Sequence, residues 1–431
     1  MNQFIRSVVF CSALLSSVYC TAQKADAAFN IKEAERIENF LASDEMRGRR
    51  TGSPEIDKAA AFIADEFKKA GLQPWQGTNY LQEFTMIRPR LKELKYKAEG
   101  GDVDTKNIIV ITSKPELEVS EKSGYEVQYV KAGANLSGEI VKLNSEKKNL
   151  LILVDTSFSK FFPRLASLKR QMFSSPFSKV FILGNELPKE FKIKADHSFE
   201  ETRFANVVGI LPGKSRKTEQ VIFSGHYDHV GVMKPVNGDS IYNGANDDAA
   251  GTTAVIMLAK YFKQLGNNER TLVFAAFTAE EIGGFGSQYF SQQFDPKNVM
   301  AMFNIEMIGT ESKWGKNSAY ITGFDKTNMG EILQANLKGT VFQFHPDPYT
   351  EENLFYRSDN ATLAKLGVPA HTISTSKMDN EPNYHKPSDE VKTLDLENMI
   401  QVMRAIAESS KTIVSGKDTP TRVKAEGQRV S

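Results

Sequence analysis

The chain has 431 residues, 40% hydrophobic and 25% charged, with 54 Lys and Arg against 53 Asp and Glu and a formal net charge of +1. These proportions suit a folded globular protein with room for one large α/β domain and a smaller one, and they exclude a disordered chain. So even a balance supplies no basic surface for nucleic acid.

Residues 1–22 read as a secretory signal peptide: one positive charge at Arg6, an apolar stretch from Val8 to Tyr19, and small residues at Thr21 and Ala22. Cleavage after Ala22 leaves Gln23 first, and bulky Tyr19 before Cys20 argues against lipoprotein processing. The apolar stretch is shorter than the roughly 20 residues a spanning helix needs, and no other segment is long enough, so no membrane span is expected. The expected location is periplasmic or extracellular. Both cysteines, Cys11 and Cys20, fall in this leader. The mature chain then has no disulfide or thiolate, and any metal has to be held by His, Asp and Glu.

Residues 23–91 carry two helical patterns, at 31–41 and 55–70, separated by a polar glycine-containing turn at 43–52. Over 92–201 the texture changes to short β-like runs at 107–112, 126–130 and 149–155 among many lysines and glutamates, which predicts an inserted small β-rich domain. Over 202–413 strands alternate with helices. Strands are expected at 207–211, 221–224, 271–277, 301–305, 319–322 and 368–374, with helices at 251–265, 326–338, 359–366 and 394–413. Such alternation specifies an α/β fold, a mostly parallel central sheet with helices on both faces. The polar tail 414–431, containing Pro420, is expected to be disordered. There is no internal repeat and no glycine-rich phosphate loop.

Acids and histidines gather where these strands end. The apolar run 271–277 leads into Glu280-Glu281 and then Gly283-Gly284; the strand at 221–224 leads into Gly225-His226-Tyr-Asp228-His229; the strand at 301–305 leads into Glu306. Asp247-Asp248 precedes the helix at 251, and His385 and Asp389 lie near the end. In open α/β sheets the crevice at the carboxyl ends of the strands is where ligands bind. Singly, each has a plain structural reading: a solvated acidic turn, a hydrogen-bonded histidine, an Asx turn capping a helix, a surface histidine. His226 and Asp228, two apart in extended chain, point to one face, so Asp228 can accept the second ring N–H and fix the tautomer. Together the residues make coherent chemistry around two divalent ions. Imidazole mixed with carboxylate suits Zn²⁺, and Asp247, Glu281 and Glu306 offset three of the four positive charges that two such ions bring. One acid has to stay off the metal to move the proton.

The set His226-Tyr-Asp228, Gly244-Ala-Asn-Asp247-Asp248, Glu280-Glu281, Glu306-Met-Ile-Gly309 and Tyr384-His385 resembles the cocatalytic di-zinc aminopeptidases. That group includes bacterial leucyl aminopeptidases, with glutamate carboxypeptidase, glutaminyl cyclase and the non-enzymatic transferrin receptor as relatives. The resemblance covers about residues 31–90 and 203–410 and implies the zinc-peptidase fold, two zinc ions and peptide substrates. It implies that Asp247 bridges both ions, that Glu281 and His385 complete one, and that His226 and Glu306 complete the other. Glu280 becomes the general base, with Asp228 behind His226. Asp248, joined to Asp247 by a cis peptide, and Asp389 support the ligands from behind. Glu306 stands where most relatives have aspartate.

In the Leu354-Phe-Tyr356-Arg357-Ser-Asp359 stretch, Tyr356 or Arg357 is positioned to hold a substrate carbonyl or carboxylate, or else packs or pairs within its loop. The leading expectation is an exported zinc aminopeptidase. Alternatives are a glutaminyl cyclase-like acyl transfer, a carboxypeptidase or dipeptidase using Arg357, and a binding protein without catalysis.

Overall fold

The computed structural model describes residues 25–99 and 101–424, so the expected leader at 1–22 lies outside the described residues. The chain divides into two units, one formed by Met1–Glu83 with Phe204–Ser431 and the other by Phe84–Arg203.

In the larger unit the sheet strands, in chain order, are β1 (Phe191–Leu211, through its last residues), β2 (Arg216–His226), β3 (Arg270–Phe277), β4 (Val299–Ile305), β5 (Ser318–Ile321), β6 (Gln343–Pro346) and β7 (Ala370–Ser374). Helices are α1 (Ile31–Leu41), α2 (Pro54–Lys69), α3 (Ala250–Leu265), α4 (Phe285–Ser291), α5 (Met329–Asn336), α6 (Asn360–Ala364) and α7 (Leu396–Val414). The spatial order is β6-β5-β7-β4-β2-β3-β1. Strands β7, β4, β2 and β3 are parallel, as are β5 and β6; β1 and β5 run antiparallel to β3 and β7 respectively.

Every residue of β3 is buried. Its residues alternate between two apolar clusters: Leu272, Phe274 and Ala276 join one, and Val273, Ala275 and Phe277 join the other. Strand β2 divides in the same way, with Val221 and Phe223 against Ile222. The first cluster is completed by α1, α2, α3 and α7, and the second by Phe290 of α4 and Leu363 and Ala364 of α6. Helices therefore cover both faces, which is why β3 has no polar side.

Local caps set the helix limits. Asn30 accepts the Glu33 N–H to open α1, and Asp395 accepts the Asn398 N–H to open α7. Helix α3 stops at Gly266, whose φ of 57° is left-handed and whose N–H returns to the Phe262 carbonyl.

The chain leaves β2, adds β3 on one side of it, then crosses to place β4 on the other. That reversal opens a crevice at the carboxyl end of β2.

The expected disorder of the tail is corrected as far as residue 424. The Arg270 guanidinium donates to the Ile413 and Asp418 carbonyls, each at 2.8 Å, and Arg422 donates to the Val299 carbonyl at 2.8 Å. Val423 is buried in the second cluster. Long-range contacts that composition does not reveal supply the order.

In the smaller unit a four-stranded sheet runs in the order Ile108–Ile111, Lys179–Leu183, Leu150–Val154, Glu126–Val130, the first pair antiparallel and the others parallel. Ile140 and Leu143 of the helix Leu136–Ser145 pack into its apolar core with Ile152 and Phe181. The sequence predicts a small β-rich insertion over 92–201, and this is the unit it refers to. Among the described residues, no helix is long and apolar enough to cross a membrane.

Candidate metal centre

Parallel register brings the candidate residues to one edge. His226, the last residue of β2, lies opposite Phe277, the last of β3, while Ser224 lies opposite Asn304 of β4. The chain beyond β3 therefore delivers Glu280 and Glu281 to one side of His226, and the end of β4 delivers Glu306 to the other. Asp247 comes from the Ala245–Ala249 turn before α3, and His385 from the loop beyond β7.

A buried polar frame holds these segments. The Asp248 carboxylate accepts the N–H groups of His226 (3.1 Å), Met307 (3.0 Å) and Gly251 (3.0 Å), tying the ends of β2 and β4 to the start of α3. The Asp247–Asp248 peptide is cis. Asp389 accepts the N–H groups of Asn246 (2.9 Å) and Asp247 (3.1 Å). Arg49, fully buried, donates to the carbonyls of Tyr227 (2.8 Å), Asn243 (2.7 Å) and Gly244 (2.9 Å). Ala279 and His385 have φ values of 60° and 50°, left-handed geometry that non-glycine residues adopt at a cost and that gathers at functional sites.

Asp228 plays a different part from the expected one. His226 Nδ1 meets the main-chain carbonyl of Asp228 at 3.1 Å, while the nearer carboxylate oxygen is 3.8 Å away. The carboxylate is engaged elsewhere: it accepts the N–H of Glu280 at 3.1 Å, the N–H of Glu281 at 3.3 Å and the Thr51 hydroxyl at 2.8 Å.

Histidine nitrogens and carboxylate oxygens converge in front of this frame. His226 Nε2 is 3.3 Å from Asp247 Oδ1, and His385 Nε2 is 3.3 Å from Asp247 Oδ2 and 3.1 Å from Glu281 Oε2. His229 Nδ1 is 2.8 Å from Glu281 Oε1. Yet His226 Nε2, His385 Nε2, His229 Nδ1 and Glu281 Oε1 make no hydrogen bond. Atoms this close but misaligned are aimed at a shared point rather than at each other. Two donors each about 2.0–2.1 Å from a tetrahedral zinc stand roughly 3.3–3.4 Å apart, which matches the spacing found. Ligand atoms of His229, Asp247, Glu281 and His385 all lie within 4.8 Å of one another. These residues fit a divalent cation of zinc's chemistry.

Electrostatics agree with that fit. Burial alone would depress His385, yet the Asp247 and Glu281 carboxylates carry its pKa up to about 10. Burial likewise opposes the rise at His226, which Asp247, Glu280 and Asp248 hold well above the ordinary imidazole value. The carboxylates call for positive charge at this point. The adjacent glutamates separate in opposite directions. Glu281 is lowered despite its burial, because His229 and His385 face it. Glu280 is pushed well up by burial and by the neighbouring charges of Glu306, Asp359 and Glu281. Pairs of acids driven apart in this way mark a division between acid–base and binding roles.

Glu306 sits apart from the compact group of four. Its carboxylate accepts the Ser358 hydroxyl and lies 3.5 Å from Asn304 Nδ2. It lines the cleft beside Glu280, Tyr320, Ser374, Tyr384 and Arg357. Arg357 is exposed and paired with Glu352 at 2.9 Å. Tyr356 packs on Phe355, ring centroids 4.8 Å apart, against the second apolar cluster.

Sequence reasoning assigned no role to His229, Arg49 or Asp359. The one available signal for His229 was its place three residues after His226. Asp359 is 1% exposed with neither carboxylate oxygen hydrogen-bonded, and burial raises its pKa to about 7.

Residues 206–410 match the model of peptidase family M28. That match takes in a little under half of the chain. The chain is similar to leucine aminopeptidase 1 of Chaetomium globosum, 27% identical over 226 residues, covering 49% of this chain and 54% of that one. The corresponding protein of Metarhizium robertsii is 26% identical over 280 residues, covering 59% and 69%. The chain spans about half the length of most such relatives, as with the 52% covered in the Aspergillus niger protein. Its fold is like that of an aminopeptidase from Aneurinibacillus sp. strain AM-1, at 19% identity and a TM-score of 0.54 over 95% of this chain and 98% of that one. A zinc aminopeptidase from Bacillus subtilis gives 18% identity and a TM-score of 0.53 over 91% and 97%.

Proposed function

We propose that this chain is an exported zinc metallopeptidase of the M28 type that removes N-terminal residues from peptides, with two zinc ions and Glu280 as general base. The observation that carries the reading is the division between the two adjacent glutamates. Glu281 joins the converging donors, whereas Glu280 stands beside them with a raised pKa. Asp247, Glu281 and His385 would hold one ion, and Asp247, His226 and Glu306 the other. Zinc bound there would polarise the scissile carbonyl and make water acidic enough to attack near neutral pH.

The chain's own residues do the rest. Glu280 takes the proton from the attacking water and passes it to the leaving amine, the part open to a carboxylate that lines the cleft beside the converging donors. Asp228 fixes the direction of Glu280 through its main-chain N–H. Carboxylates such as Glu280 and Glu306 line the cleft, which disfavours a substrate's α-carboxylate there. Arg357, the candidate for a substrate carboxylate, is engaged by Glu352. These features support aminopeptidase over carboxypeptidase action. The leader-like start of the sequence supports export.

Aminoacyl-nitroanilides, and peptides with free or blocked ends, test the reading. The expected result is hydrolysis that requires a free amino end and stops on chelation. Release of C-terminal residues from N-blocked peptides would replace aminopeptidase with carboxypeptidase, and purified protein without divalent metal would overturn the whole reading.

A further inference from the structure

We infer that His229 is a fourth protein ligand, through Nδ1, of the ion held by Asp247, Glu281 and His385. This rests on the metallopeptidase reading and goes beyond it, because it makes the two metal positions unequal.

Three independent features place His229 there. Its Nδ1 lies 2.8 Å from Glu281 Oε1 and 3.9 Å from Asp247 Oδ2, with both ring nitrogens free of hydrogen bonds inside the chain. The ring is buried and stands edge-on to His385, centroids 5.5 Å apart at 74°, so the two imidazoles approach the same carboxylates from different sides. The backbone also makes room for it. A Cβ on Gly244 would stand 2.5 Å from His229 Cγ and 2.6 Å from Cδ2, and Gly244 has a φ of 62°. The His229 N–H is tied to the Arg49 carbonyl at 3.3 Å, and the Arg49 guanidinium holds the Asn243 and Gly244 carbonyls, so one buried residue fixes both the ring's origin and the loop it faces.

The chemical consequence is a graded pair of sites. Two imidazoles with two carboxylates fill the four positions zinc commonly takes, as in a tightly held site. The His226, Asp247 and Glu306 position has fewer donors, and Glu306 is shared with Ser358. Zinc would therefore fill the His229 position first and leave it last.

The decisive experiment is a crystal structure of the full chain loaded with zinc, using anomalous scattering to locate the ions. The inference expects His229 Nδ1 about 2.0–2.1 Å from the ion shared with Glu281 and His385; a separation beyond 3 Å overturns it. In parallel, zinc titration of metal-free protein is expected to show the first equivalent binding at least a hundredfold more weakly in His229→Ala and in His229→Gln. A first equivalent of unchanged affinity in folded variants also overturns it. If a variant does not fold, the crystallographic distance decides. Zinc bound with His229 remote ends this inference alone, whereas absence of any bound metal in the wild type ends the metallopeptidase reading with it.

Discussion

The carboxylate of Asp228 accepts the main-chain N–H of Glu280 at 3.1 Å. Its second oxygen accepts the N–H of Glu281 at 3.3 Å, so one buried acid sets the path of the chain that carries both glutamates. Hydrogen bonds to a charged acceptor contribute roughly 1.5–3 kcal/mol each, enough to hold Ala279 at its left-handed φ. Asp228→Ala is expected to lower kcat for aminoacyl-nitroanilide hydrolysis by about tenfold to a hundredfold, the range seen when support behind a metal site is lost. Steady-state kinetics check this; an unchanged kcat would remove Asp228 from the catalytic frame.

Gly251 marks where α3 crosses the end of β4. A Cβ there would meet the Ile305 carbonyl oxygen at 2.1 Å and Asp248 Oδ2 at 2.3 Å, both in the fixed frame beneath the site. Gly251→Ala is expected to destabilise the fold by about 1–3 kcal/mol through overpacking and to lower zinc occupancy with it. Urea unfolding and metal analysis read the two effects.

Glu38 offers a pH test away from the metal. It is fully buried in α1 with no hydrogen bond to either oxygen, and burial pushes its pKa up from 4.5 to about 8, opposed by Thr253 and Arg49. In the unfolded chain the group ionises near 4.5, while in the folded chain it keeps its proton to about 8. Below 4.5 the group costs folding no ionisation penalty, and stability is lost as pH rises from 4.5 toward 8, by an amount on the order of 5 kcal/mol. Glu38→Gln is expected to flatten the stability profile over that window. Parallel profiles for wild type and variant would show that Glu38 ionises normally.

How much the sequence disclosed depends on the range of each interaction. The apolar run of β3 announces a buried strand, and its alternation between two clusters follows from strand geometry. Strand ends and acids close in sequence pointed to the crevice, while the pairing of ligands came through family resemblance. Helix α4 was not anticipated, since its seven residues follow two glycines and carry too little periodicity. The short hairpin of Gly231–Val236 with Asp239–Tyr242 escaped for the same reason. Order in the tail comes from Arg270, more than a hundred residues earlier, and no local pattern encodes it. The place of His229 depends on Gly244 and Glu281, distant in sequence and meeting only in the fold.

The central claim is that two adjacent acids have separate tasks, one on the metal and one off it. Zinc content and peptide hydrolysis measured together in Glu280→Gln and Glu281→Gln test it most directly. Glu280→Gln is expected to keep the wild-type zinc content and lose about a hundredfold to ten-thousandfold in kcat, the usual worth of a general base. Glu281→Gln is expected to lose zinc. A Glu280→Gln protein that sheds its zinc, or that binds zinc and hydrolyses peptides at the wild-type rate, would contradict the account.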